Sequence, residues 1–229
     1  MRIIDFQKKL GNFNLDIRDL ELESGCIHGF IGGNGSGKTT AAKLIAGILQ
    51  TDSGEIQYEG LYPRDITMST QKPYILHSSV YENLIYPLKI RGIRPDNAEI
   101  DKVLKRYNML DKKDQYARTL SSGEQQKLSF LRMMIFKPKL VIIDETLSNL
   151  DSESLEIFEK RILKIQQQEN NTWIIISHQL PQIIKLCDKV HFFSEGRVIE
   201  SGKMEDVIFH SGNPVVKAYV KSQTLEIMR

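Results

Sequence analysis

The stretch Gly32–Thr39, "GGNGSGKT", decides the fold. It matches the pattern G-x-x-x-x-G-K-[ST] in full, and its flanks are the ones that pattern needs. The run "CIHGFIG" (26–32) reads as a short strand leading in. Residues 38–49 read as a helix leading out, with Ala41, Ala42, Leu44, Ile45 and Ile48 apolar and "DSG" (52–54) breaking the run. Glycines let successive backbone N–H groups converge on phosphate oxygens with no Cβ in the way. The helix start adds a dipole that favours an anion by up to ~2 kcal/mol when partly buried. Gly32, Gly33, Asn34, Gly35, Ser36, Gly37 and Thr40 thus read as a phosphate cradle. Lys38 supplies a point charge to the outer phosphates, and Thr39 offers a hydroxyl to Mg²⁺.

Downstream, "KLVIID" (139–144) is a continuous apolar run, the pattern of a parallel strand buried on both faces. It delivers Asp144 and Glu145 to a strand carboxyl end, where ligands sit in doubly wound sheets. Asp144 is a candidate to hold Mg²⁺, directly or through water. Glu145 is a candidate to polarise an attacking water, a role that typically contributes ~10²–10⁴-fold. "TWIIISH" (172–178) is a second buried strand, and "KVHFFSEGRVIESG" (189–202) a hairpin turning at Glu195-Gly196. Upstream, "NFNLDIRDLELE" (12–23) alternates apolar and polar with one slip between Ile17 and Leu20. From Pro73 to Lys137 helical patterns take over, punctuated by Pro87, Gly92 and Pro95. The expected architecture is α/β: a P-loop NTPase core with a mixed, mostly parallel sheet. An N-terminal antiparallel β subdomain belongs to it (1–72 and 138–229 together), and a helical subdomain (73–137) is inserted.

Composition is consistent with one such domain, because 41% hydrophobic and 26% charged residues sit near globular averages. A net charge of +2 without a Lys/Arg block argues against a nucleic-acid partner. Cys26 and Cys187, in apolar contexts, read as buried free thiols of a reducing compartment. The N-terminus does not read as a signal peptide, and apolar runs such as "LVII" and "WIII" are strand length, so a membrane role is expected to come through a partner.

One stretch asks for more. "TLSSGEQQKLSF" (119–130) is a second Ser/Gly turn opening a helix, a second phosphate-shaped start in a chain that already has one. Here the chain resembles the nucleotide-binding subunits of ATP-binding-cassette transporters, whose signature usually reads L-S-G-G-Q-Q-x-[KR]. The order of motifs fits along the whole chain: phosphate loop, Gln71 after a strand, signature, aspartate strand, "SNLD" (148–151) and His178 after a strand. The resemblance implies a head-to-tail pair of subunits with two MgATP sandwiched between them, each signature facing the other copy's phosphate loop. Ser121, Ser122, Gly123 and Glu124 then serve the partner's nucleotide, Ser121 through its hydroxyl and Gly123 through its N–H. It further implies that Gln71 contacts Mg²⁺ or the attacking water, that His178 contacts the γ-phosphate, and that Asp151 couples the two sites. By residue type alone, Gln71 reads as a loop glutamine, His178 as a polar strand end, and Asp151 as a helix N-cap.

Departures from the pattern are specific. Ser122 stands for the first signature Gly, Glu124 for the signature Gln, and Thr146 for the Pro after the catalytic Glu. At the place of the adenine-stacking aromatic there is Lys8; Phe6 and Phe13 are the alternatives, and each fits a strand core equally well. "LGNFNLDI" (10–17) and "QKPYILHSSVYENLIYPLKIRG" (71–92) are similar to molybdate and tungstate importer ATPases. The resemblance therefore implies an ATPase at the cytoplasmic face of the membrane that drives a separate permease, an importer of an oxyanion, with a solute-binding protein as further partner. An exporter, or an importer of another solute, is the alternative. In the family the helical block docks the permease, with Tyr74, Leu76, Val80 and Tyr86 as candidate lining residues, each of which fits the core of the subdomain equally well. The chain's end at 229 is expected to leave no room for an appended regulatory β domain. A P-loop kinase would need neither "LSSGEQQK" nor His178, and translation or DNA-repair ATPases of the superfamily duplicate the cassette or split it.

Overall fold

The structure is a computed structural model describing residues 1–69, 74–145 and 152–227. The chain divides into two compact units, Met1–Met68 with Lys139–Arg229, and Ser69–Pro138.

In the first unit, two sheets form among the described residues. The N-terminal one has the order β2-β1-β4, from β1 (Arg2–Leu10), β2 (Phe13–Glu21) and β4 (Ser53–Gln57), antiparallel throughout. The slip in apolar alternation has a structural cause. Asp5 takes φ 47, and the register of β1 on β4 shifts between Ile4 and Gln7. Ile3 and Phe6, paired with Leu20 and Ile17, are then all buried despite their odd spacing.

The larger sheet has the order β5-β6-β7-β3-β8-β9. Its strands are β3 (Ile27–Ile31), β5 (Ile66–Met68), β6 (Leu140–Asp144), β7 (Thr172–Ile176), β8 (Lys189–Ser194) and β9 (Arg197–Lys203), and only the β8–β9 hairpin is antiparallel. Every residue of β3, β6 and β7 is buried, as their unbroken apolar runs require. A core of Ile3, Phe6, Leu15, Ile17, Ala41, Ile45, Ile142 and Ile174 packs the N-terminal sheet and helix α1 (Lys38–Ile45) against the larger sheet. Helix α1 is shorter than the apolar pattern suggests. It ends at Ile45, where Tyr58 donates its hydroxyl to the last carbonyl at 3.1 Å, and Gly47 follows at φ 70. Ile48, expected on the buried face, is 61% exposed. Helices α5 (Ser152–Glu169), α6 (Leu180–Leu186), α7 (Met204–Phe209) and α8 (Pro214–Ile227) complete this unit.

The second unit holds α2 (Val80–Ile90), α3 (Asn97–Arg106) and α4 (Ser122–Met134), capped by Ser79, Asp96 and Ser121. Its own core joins Ile75, Val80, Leu84, Ile100, Leu104, Leu128 and Leu131. Val80 is fully buried there, so it lines no dock; Tyr74 and Tyr86 are exposed. Pro87 lies inside α2 and does not interrupt it. The one helical hydrogen bond it forgoes is set against the burial of Leu84, Ile85, Pro87 and Leu88.

Candidate functional site

Three neighbouring parallel strands, β3, β7 and β6, end at the same edge of the sheet. Beyond β3 comes the glycine loop, beyond β7 His178, and at the end of β6 Asp144 with Glu145 after it. Residues 32 to 178, scattered in sequence, converge because the crossovers return each strand in the same direction.

The loop's shape depends on two glycines. Gly32 has φ 134, and a Cβ there would stand 2.0 Å from the carbonyl oxygen of Phe193 on β8. Gly37, the N-cap of α1, has φ 108, and a Cβ there would meet Leu15 Cδ1 at 2.7 Å and Phe13 Cζ at 3.0 Å. Both positions are closed to any side chain. Ser36 donates its N–H to Gly33 O at 3.2 Å, closing the turn. Lys38 folds back over it, its ammonium donating to Gly32 O and Gly33 O, each at 2.8 Å, and to Ser36 Oγ at 3.3 Å. Burial lowers the Lys38 pKa, opposed by the carboxylates of Glu145 and Asp144. The ammonium is therefore held by neutral carbonyls, which are weaker partners for it than an anion.

Thr39 donates its hydroxyl to Asp144 Oδ1 at 3.2 Å. Burial raises the Asp144 pKa, opposed by the hydrogen bond from Thr39. A hydroxyl beside such a carboxylate is the hard-oxygen donor set Mg²⁺ takes alongside phosphate and water, so the residues fit that ion. Glu145 has φ 50, a region non-glycine residues seldom adopt, and its N–H is bound to Ile176 O at 3.0 Å. His178 Nδ1 stands 3.6 Å from Glu145 Oε1, and the turn carrying it is fastened by Gln179 N–H on Ser177 Oγ at 3.1 Å.

Phe13, Asn34, Gly35, Ser36, Gly37, Lys38, Thr39, Thr40 and Glu145 line one cavity of about 310 Å³. This separates the two aromatic candidates. Phe6 is 2% exposed and belongs to the core, whereas Phe13 is half-buried and faces the loop cavity. Gln71, Thr146, Ser148 and Asp151 lie outside the described residues.

In the helical unit, Ser121, Ser122 and Gly123 are exposed at the start of α4. Ser121 Oγ accepts from Glu124 N–H at 3.4 Å, and Glu124 Oε2 accepts from Ser121 N–H at 2.9 Å, a reciprocal capping box. Glu124, which stands for the signature Gln, thus holds the turn. Its other oxygen pairs with Lys112, a partner no motif indicated. Lys112, then the Ser121 N–H, draw the Glu124 carboxyl down to about 2.

Two histidines outside the motifs, His28 and His191, form a buried pair. Glu23 O lies 3.0 Å from His28 Nε2, His28 Nδ1 2.9 Å from His191 Nε2, and His191 Nδ1 2.9 Å from Ser201 Oγ. A carbonyl only accepts, so His28 Nε2 carries the proton, His191 Nε2 donates to His28, and the Ser201 hydroxyl donates to His191. Cys187 is buried as expected, whereas Cys26 is only partly buried.

A family model described as ABC transporter matches residues 15–148. The chain is 36% identical over 197 residues to the tungstate uptake system ATP-binding protein TupC of Peptoclostridium acidaminophilum, covering 83% of this chain and 92% of that protein. It is 30% identical over 223 residues to the methionine import ATP-binding protein MetN of Carboxydothermus hydrogenoformans, covering 91% of this chain and 66% of that one. A solved ATP-binding subunit of an ABC transporter superposes with a TM-score of 0.82 at 21% identity, over 100% of this chain and 99% of the other, a likeness of fold.

Proposed function

The chain belongs to the ABC transporter family, and from that premise we propose that it powers a tungstate-type importer by closing and reopening as an ATP-sandwiched dimer. As an ATP-binding subunit of this family it is an ATPase. Among the described residues no helix is long and apolar enough to cross a membrane. Likeness to the ATP-binding proteins of uptake systems supports giving the transport path to a separate permease, at whose cytoplasmic face this subunit sits. The cargo assignment rests on likeness to the tungstate uptake protein, and a solute-binding protein would deliver the cargo.

The observation that carries the mechanism is the convergence of Lys38, Thr39, Asp144, Glu145 and His178 at one sheet edge beside the loop cavity. The loop N–H groups and Lys38 hold the phosphates. Thr39 and Asp144 hold Mg²⁺, which supplies charge neutralisation when bound. Glu145 accepts a proton from the attacking water, and His178 steadies the γ-phosphate and the glutamate beside it. Gln71 contributes at the metal or the water. The exposed Ser121–Gly123 turn closes over the nucleotide of a second, identical copy, and Asp151 couples the two sites. ATP then acts as a bridge whose charge is matched only when both halves close, and loss of the γ-phosphate releases them.

Glu145→Gln tests this. The variant is expected to bind MgATP, to hydrolyse it about 10²–10⁴-fold more slowly, and to run as a dimer on sizing columns only when ATP is present. A variant that stays monomeric at saturating MgATP sinks the sandwich. Reconstitution with the permease and binding protein tests the cargo: tungstate is expected to stimulate hydrolysis, and stimulation by methionine alone overturns the oxyanion assignment.

A further inference from the structure

The departure at Glu124 places a permanent negative charge in the first turn of α4, where the proposed sandwich needs to receive a γ-phosphate. Uncompensated, that carboxylate repels the ligand the turn is to bind. The structure shows how its two oxygens are engaged. Oε2 takes the Ser121 N–H at 2.9 Å, and Oε1 takes the ammonium of Lys112, which arrives from a short 3-10 turn at Leu110–Lys112. Both side chains are mostly covered, at 30% and 24% exposure.

The donors left over are the useful ones. The Ser121 N–H is spent on Glu124, and the Glu124 N–H on Ser121 Oγ. Because Ser121 Oγ accepts from within the turn, its own proton is free to point outward, beside the N–H groups of Ser122 and Gly123, which the capping box does not use. Glu124 can therefore order this turn without blocking it, provided its charge is cancelled.

We propose that Lys112 is a positioning residue for the ATPase reaction: it neutralises Glu124 and holds it against the Ser121 cap, so that the signature turn can accept the γ-phosphate of the partner copy's ATP. The role rests on the sandwich reading above. Lys112 touches no nucleotide; it acts through Glu124. The Asp111 carboxylate also favours the charged ammonium of Lys112, and being an anion it cannot substitute for it.

The test is a charge-rescue cycle in the full chain carrying Glu145→Gln, with ATP-dependent dimerisation followed by sizing chromatography across an ATP titration. K112M is expected to need about three- to tenfold more ATP to pair, the size of one uncompensated, partly screened charge. K112R is expected to pair near the parent's midpoint, and K112M/E124Q to recover most of the K112M loss. A lysine that merely props the 3-10 turn on α4 gives the opposite result, since E124Q also removes the prop and the double variant stays as weak as K112M. That outcome, or a K112M titration identical to the parent's, overturns the proposal while the parent still pairs. A parent that never pairs removes the sandwich and this role with it.

Discussion

Replacing Phe13 by alanine separates two jobs that an N-terminal aromatic can hold. The ring is half-buried, faces the loop cavity, and sits with Cζ 3.0 Å from where a Cβ on Gly37 would be. It is placed to stack on the base of a nucleotide whose phosphates occupy the loop. Base–aromatic stacking is worth about 1–3 kcal/mol by alanine substitution, or about 5- to 150-fold in affinity. Phe13 packs only along the margin of the core, so F13A is expected to cost about 1 kcal/mol of stability. Phe6 is the internal comparison. At 2% exposure it is a core residue, and F6A is expected to cost about 3–5 kcal/mol, lowering Tm by about 10 °C or more while leaving nucleotide affinity of the folded fraction near wild type. The assay is competition binding of ATP and of tripolyphosphate, which offers the phosphates without a base. F13A should weaken ATP within the stated range, leave tripolyphosphate within about twofold, and be rescued by F13W. Equal loss for both ligands means the ring acts through the shape of the loop, and no loss for ATP means there is no stack; either result refutes the reasoning.

Gly32→Ala is expected to unfold the first unit or leave it insoluble, because the new Cβ stands 2.0 Å from Phe193 O. Gly35→Ala, at φ 73 with nothing within 4 Å of the added atom, should cost about 1–2 kcal/mol, both read by thermal melts. Burial holds the pKa of His28 low and that of His191 at about 3, below the ordinary value of 6.5. The unfolded chain therefore takes up protons that the folded one refuses, and stability, level above pH about 6.5, falls as the pH drops through that value. His191 alone should cost about 2 kcal/mol by pH 5, visible as a falling Tm in salt-matched buffers; a flat profile between pH 7 and 5 contradicts the buried neutral pair. Lys38→Met removes the ammonium that Gly32 O and Gly33 O now share, and is expected to abolish measurable ATP binding by equilibrium dialysis while the far-ultraviolet circular dichroism stays that of the wild type.

The sequence by itself determined what is local. The glycine loop, the buried runs of β3, β6 and β7, the Glu195-Gly196 hairpin and the helix start at Ser121 each carry their signal within a dozen residues, because backbone freedom, periodicity and capping are short-range properties. Only the tertiary structure decided which distant groups share a dielectric. It turned Phe13 toward the loop and Phe6 into the core, closed His28 on His191 across two adjacent strands, and stopped α1 four residues short of the apolar pattern. It also brought Lys112 to Glu124. A pairing between side chains that no period links leaves no trace in a pattern of apolar and polar residues. It exists because packing removes water from both partners at once, and that depends on where the chain returns.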